Sequence, residues 1–338
     1  MRAVVYERTG PSSVLQLRER PLPEPGPGQV RVRVAVSGVN PTDWKARAGT
    51  TGAPLAAPKV PNQDGAGTVD TVGAGVDTFG PGDRVWLWDV AWQTDEGTAQ
   101  EYVVVPVERV VALPDGESFD TGASLGIPAL TAHRALTAHE DGPARLAPGA
   151  LDGRVVLVTG GAGAVSHAAI QLAVWAGATV LTTVSGAAKA ALAQAAGAHH
   201  VINYREEDVP ARVREISPRG ADVIVDVAVV ANIGDDIAAI APGGTVAVYA
   251  VDTDEPLTMP VRPAMTPNLR LQFVLTYTVT NQQKADAVAA VSAALADGAL
   301  RVGEEHGLPI TRFPLAETAA AHDAVEAGTV GKVLIDIP

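Results

Sequence analysis

The chain has 338 residues, a length that suits about two domains. Its 25 Lys and Arg against 38 Asp and Glu leave a net charge of −13, which argues against a nucleic-acid backbone as the main partner. Cysteine is absent, and this excludes disulfides, iron–sulfur clusters, thiolate-held zinc and a thiol nucleophile.

The first 125 residues or so read as β-rich. Val30 to Val36 alternates, Gly65–Val72, Arg84–Trp88 and Tyr102–Val105 are further short runs, and Gly and Pro punctuate them at 21–28, 72–76 and 80–83. Short strands with turn signals predict a small barrel or sandwich. From Arg154 the rhythm changes. A continuous apolar run at 155–159 predicts a buried parallel strand, a glycine turn follows, and a helix is expected from Val165 to Trp175. Strands at 179–184, 200–204, 222–227, 245–250 and 269–275 alternate with helical stretches, which predicts a doubly wound parallel sheet. Helices at 284–296 and 316–327 and a last strand at 331–337 complete the series. No run of about 18 apolar residues suggests a membrane span. The charges Arg2, Glu7 and Arg8 do not make a leader, so the expectation is a soluble cytoplasmic protein.

The acids are unevenly spread. Between Asp152 and Glu206 lie 53 residues with no Asp or Glu, where the chain average predicts about six, yet Arg154, Lys189 and Arg205 fall inside. That window contains the turn Thr159-Gly160-Gly161-Ala162-Gly163-Ala164-Val165-Ser166. A glycine turn between a buried strand and a helix lets backbone amides meet a pyrophosphate at the positive end of the helix, although a merely tight strand–helix turn has the same look. An NAD site carries an acid about 20 residues further on for the ribose 2′-OH. Here the second strand ends in Ser185-Gly186 without one, and Lys189, Tyr204 and Arg205 stand near enough in sequence to meet a 2′-phosphate. NADPH is therefore favoured over NADH.

Several stretches resemble the medium-chain dehydrogenase/reductase superfamily, within it the zinc-independent quinone oxidoreductase and zeta-crystallin group. They are Gly38-Val39-Asn40-Pro41 with Asp43-Trp44-Lys45, the segments at 61–85, 97–106 and 122–136, the glycine turn, 201–208 and the terminal 331–337. The resemblance implies a Rossmann NADPH-binding domain at 125–277, inserted into a GroES-like substrate domain at 1–124 to which 278–338 returns. Ligands would lie in the cleft between the two. By position it puts Asn40 and Thr131 near the nicotinamide, and Gly160, Gly163, Ala164 and Val165 at the pyrophosphate. Ser185, Lys189 and Tyr204 would surround the 2′-phosphate. Asn232, Ala250 and Phe273, Val274 and Leu275 would line the path between adenosine and nicotinamide, with Lys332 on the cleft floor. It also implies a homodimer joined along the strand at 269–275. Three departures stand out: Ala164 and Ser166 replace glycines, the stretch Val225–Asn232 lacks a common glycine pair, and Trp44-Lys45 replaces a tyrosine-bearing segment.

Without metal or thiol, the chemistry this points to is hydride transfer from NADPH to a small conjugated acceptor, a quinone or an enone. Asn40 is the candidate catalytic residue, a hydrogen-bond donor to the acceptor oxygen; as a turn residue before Pro41 it has an equally good explanation. Asp43 reads best as a helix cap. Trp86 and Trp88 share a strand face and, with Trp44, are the substrate-wall candidates; core packing accounts for the strand pair as well. The histidines form no ligand pattern. Three readings follow: a quinone reductase, a reductase of an enone or enoyl carbon–carbon double bond, and a non-catalytic NADPH-binding, crystallin-like or RNA-binding protein, whose RNA version the net charge disfavours.

Overall fold

In the computed structural model of the chain, the described residues are 1–338 apart from 51, 53, 54, 252 and 254. They divide into two compact units, Met1–Ile127 with Ile310–Pro338, and Pro128–Pro309.

The first unit opens with an antiparallel ribbon of β1 (Arg2–Val5) and β2 (Gln16–Glu19). In β3 (Gln29–Val39), Val30, Val32 and Val34 alternate with arginines and are almost wholly buried, as the period of two requires. Each fully buried aliphatic side chain of this kind contributes roughly 1.5–3 kcal/mol. Helix α1 (Pro41–Ala48) starts with proline in its first turn, where the missing N–H costs no hydrogen bond. Then come β4 (Asp64–Val72), β5 (Arg84–Leu87), β6 (Tyr102–Pro106), β7 (Val110–Ala112) and α2 (Phe119–Leu136), in which the boundary between the units falls.

The second unit alternates strands and helices: β8 (Val155–Val158), α3 (Ala164–Trp175), β9 (Thr179–Val184), α4 (Ala187–Ala195), β10 (His200–Asn203), α5 (Val209–Ile216), β11 (Ala221–Asp226), α6 (Val229–Ala239), β12 (Ile240–Val248), α7 (Val261–Met265), β13 (Arg270–Phe273) and α8 (Asn281–Ala296). Its six strands are all parallel, in the order β10-β9-β8-β11-β12-β13. This is the doubly wound order of a Rossmann sheet, with its switch point between β8 and β11. Leu157, Leu181, Ile202, Ile224 and Val246 form the centre of its core.

The chain then re-enters the first unit with β14 (Ile310–Pro314), α9 (Thr318–Glu326) and β15 (Lys332–Asp336). β15 pairs antiparallel with β3, Val333 opposite Val39, in a seven-stranded sheet ordered β14-β15-β3-β4-β5-β7, with β6 also on β3. The return therefore begins at Ile310, not at 278 as expected. Residues 278–309 stay with the second unit because α8 is tied there: Arg145 binds Asp286 at 2.8 Å, Trp175 Nε1 donates to Asp297 at 2.9 Å, and Arg301 N donates to Gln171 at 3.1 Å. No described helix is long and apolar enough to cross a membrane.

Candidate functional site

The glycine turn lies at the carboxyl end of β8. Gly160 has φ +66°, and a Cβ on Gly161 would stand 2.2 Å from Thr182 Oγ1, so the turn needs a residue without a side chain to rest on β9. Gly161 N–H donates to Thr183 O at 2.9 Å, which locks it there. Helix α3 begins directly behind Gly163, and no side chain caps it. The first amides of the helix, from Ala164 onward, have no intrahelical acceptor, so they and the helix dipole are available to an anion.

Ser185 follows β9 and Tyr204 follows β10. The parallel register sets Asn203 beside Val184, and Tyr204 N–H donates to Val184 O at 3.1 Å, so both residues emerge at one end of the sheet. Lys189 is half-buried in the first turn of α4, which again has no capping side chain; Tyr204 is 51% exposed. Glu207, just past the acid-free window, is neutralised by Arg212 at 3.1 Å and accepts Asn203 N–H at 2.8 Å. At the other half of the crevice, Asn232 gives its side-chain N–H to Asp226 at 2.9 Å. Ala250 follows β12. Phe273 and Leu275 are exposed at the end of β13 while Val274 between them is buried.

The first unit holds a buried polar centre. Lys332 Nζ donates to Asn40 Oδ1 at 2.6 Å and lies 3.6 Å from Asp64 Oδ2. Asn40 Nδ2 donates to that same Asp64 oxygen at 2.7 Å. Asp64 Oδ1 accepts the Ile127 N–H at 2.9 Å, in the stretch of α2 where Pro128 interrupts the helix ladder. A Cβ on Gly126 would meet that oxygen at 2.1 Å, so only glycine lets the carboxylate approach. Asp43 caps α1 as expected, accepting Asn40 N–H at 2.7 Å, and also takes Gln63 N–H at 3.1 Å. Burial pushes the Asp64 carboxyl up to about 6, against the pull of Lys332 and Asn40. Burial and the neighbouring Asp64 charge raise Asp43 as well, and burial lowers the Lys332 ammonium while both carboxylates hold it up.

The segment leading into Asp64 is held from three sides. Asn62 has φ +80° and is fully buried. Its side chain donates to Ser37 Oγ at 2.9 Å and meets His322 Nε2 of α9 at 2.9 Å, while its carbonyl accepts Thr98 N–H at 3.0 Å. Since the Asn62 amide oxygen must accept, His322 carries its proton on Nε2; burial depresses its pKa to about 3, so it is neutral.

The remaining candidates are scattered. Thr131 is buried in α2, and Trp44 is half-buried in α1 with Lys45 Nζ 5.8 Å from its ring centre. Trp86 is fully buried and Trp88 is 7% exposed. For the strand pair the aromatic wall is thus corrected to core packing: Trp86 Cβ lies 3.3 Å from where a side chain on Gly122 of α2 would begin, and it presents no face to a ligand. Sequence reading missed Asp64 as a site residue. An acid opening a strand directly before Gly65-Ala66-Gly67, small residues that leave room around it, was the signal that could have found it.

A Rossmann sheet with a glycine turn and an uncapped helix behind it, in one chain with a β-rich unit that holds a buried ammonium–carboxylate centre, defines a dinucleotide-binding protein of the dehydrogenase/reductase kind. Residues 26–115 match the alcohol dehydrogenase GroES-like domain family and residues 164–295 the zinc-binding dehydrogenase family. The chain is 31% identical over 303 residues to quinone oxidoreductase of Sus scrofa, covering 88% of this chain and 86% of the relative. It is 30% identical over 355 residues to 2-haloacrylate reductase of a Burkholderia species, covering 99% and 98%. The solved structure of Escherichia coli quinone oxidoreductase complexed with NADPH superposes with TM-score 0.81 at 25% identity, covering the whole of both chains. The chain belongs to the quinone oxidoreductase group of the medium-chain dehydrogenase/reductase superfamily. A zinc ion does not fit its residues: the chain has no cysteine, and among the described residues no three His, Asp or Glu side chains converge as a ligand group. The glycine turn and the bare start of α3 do fit a dinucleotide.

Proposed function

We propose that the protein is an NADPH-dependent, zinc-independent oxidoreductase that reduces a quinone or similar conjugated carbonyl acceptor. The observation that carries this reading is the glycine turn against β9, followed by an uncapped helix, in a stretch of 53 residues without Asp or Glu. The amides of Gly163, Ala164 and Val165 hold the pyrophosphate, and Ser185, Lys189 and Tyr204 hold the 2′-phosphate. When bound, NADPH supplies a hydride to the acceptor. Lys332 fills the Asn40 oxygen and Asp64 takes one of its N–H groups, so the other N–H is left to donate to an acceptor oxygen. The charge formed on a quinone or enone is delocalised, so one positioned donor is adequate and no strong acid is required. A homodimer forms along β13, the terminal strand of its sheet, whose exposed Phe273 and Leu275 suit a second copy.

The likeness to 2-haloacrylate reductase favours a second reading, reduction of an activated carbon–carbon double bond. NADPH oxidation followed with a panel of quinones, enones, acrylates and enoyl thioesters separates the two. Tight NADPH binding without turnover on any of them replaces both with a non-catalytic role. Lys189→Ala is expected to weaken NADPH at least about tenfold and leave NADH nearly unchanged, as loss of a charge-assisted contact to one phosphate predicts. Equal effects on the two cofactors overturn the 2′-phosphate assignment.

A further inference from the structure

Ser166, one of the departures in the glycine turn, is fully buried and makes two hydrogen bonds. Its Oγ donates to Thr159 O at 2.8 Å and lies 3.0 Å from the Tyr249 hydroxyl. A carbonyl only accepts, so the single serine proton goes to Thr159 and the tyrosine must donate to Ser166. The chain of bonds runs one way, from Tyr249 O–H through Ser166 O–H to the carbonyl that opens the phosphate turn.

The path of this contact matters. Tyr249 follows β12, whereas Ser166 sits in the first turn of the helix that follows β8, and β11 lies between the two strands. Two strand spacings amount to about 10 Å, so the half-buried phenol lies across the carboxyl end of β11. That is the switch point of the sheet, where a dinucleotide passes from one half to the other. The same three strand ends are laced further: Val227 N–H donates to Thr159 Oγ1 at 3.0 Å, and Tyr249 N–H to Asp226 O at 3.2 Å. Burial and the nearby Asp226 charge hold the phenol above its ordinary pKa, so it remains an O–H donor throughout the neutral range.

We propose that Tyr249 is a cofactor-positioning residue: it clasps Ser166 across the switch point and so sets the seat of the nicotinamide half of the dinucleotide. The inference rests on NADPH binding by the second unit. Tyr249 rises from the β11–β13 half, opposite the half that carries Ser185, Lys189 and Tyr204, so it acts on the nicotinamide side and leaves the adenosine side alone.

The test compares dissociation constants of NADPH and of 2′,5′-ADP, which reaches only the adenosine half, for wild type, Tyr249→Phe, Ser166→Ala and the double variant. Binding is read by calorimetry and by the nicotinamide fluorescence of bound NADPH. Each single variant is expected to weaken NADPH about three- to tenfold, the worth of one hydrogen bond, and to alter its bound emission, with 2′,5′-ADP changed less than about twofold. The double variant is expected to lose no more than either single, because both act through one bond. Unchanged NADPH binding in both single variants, or equal loss of both ligands, overturns the clasp and leaves the NADPH reading intact. Wild-type protein that binds 2′,5′-ADP and NADPH equally poorly overturns the parent reading and the clasp with it.

Discussion

Replacing Lys332 with methionine removes the cation that pairs with Asp64 in a centre that holds Asp43 and Asp64 out of water. Asp64 already titrates near 6 in the folded chain, about two units above an unfolded aspartate. Because the folded state holds the proton more tightly, this carboxyl favours folding most below about pH 4, and that advantage is lost as pH rises through about 6. The cost at neutral pH is about 3 kcal/mol even with the ammonium in place. Without it, two buried carboxylates face each other uncompensated, and breaking such a pair costs about 3–5 kcal/mol. Lys332→Met is therefore expected to destabilise by that amount at pH 8 and by much less at pH 5.5, where the carboxyls take up protons. Urea unfolding followed by tryptophan fluorescence measures it well, since Trp44, Trp86, Trp88 and Trp92 all belong to the first unit and only Trp175 to the second. Adding Asp64→Asn is expected to recover at least half of the loss at pH 8. A variant that loses under about 1 kcal/mol, or loses as much at pH 5.5 as at pH 8, refutes the account of this centre.

Other expectations rest on single contacts. Asn62 stands at φ +80°, so Asn62→Ala adds left-handed strain to the loss of the Ser37 and His322 bonds, whereas Asn62→Gly loses the bonds alone; the alanine variant is expected to be less stable than the glycine variant by about 1 kcal/mol or more in the same urea assay. The proposed homodimer along β13 predicts that a charge on the exposed edge opposes pairing: wild type is expected to run as a dimer and Phe273→Glu as a monomer in light scattering, with circular dichroism unchanged.

The local features were legible in the sequence because they depend on neighbours along the chain. Alternating valines at 30–34, the apolar run before Gly160 and the absence of acids up to Arg205 each announce their structure within a few residues. The Asp43 cap was legible for the same reason, being three residues from the Asn40 amide it binds. The placement of helix α8 was not: its Ala-rich pattern fits either unit, and long-range contacts such as Asp286 with Arg145, 141 residues away, keep it in the second.

By itself the sequence determined the two kinds of unit, the glycine turn and the exclusion of thiol chemistry. Tertiary structure alone decided how the polar groups were spent. The register that sets Val333 beside Val39 brings Lys332 to Asn40 across 292 residues, and the order of the parallel strands carries Tyr249 to Ser166 across 83. Neither distance leaves a period in the sequence, because burying a charge or a phenol is profitable only once long-range strand pairing has supplied its partner.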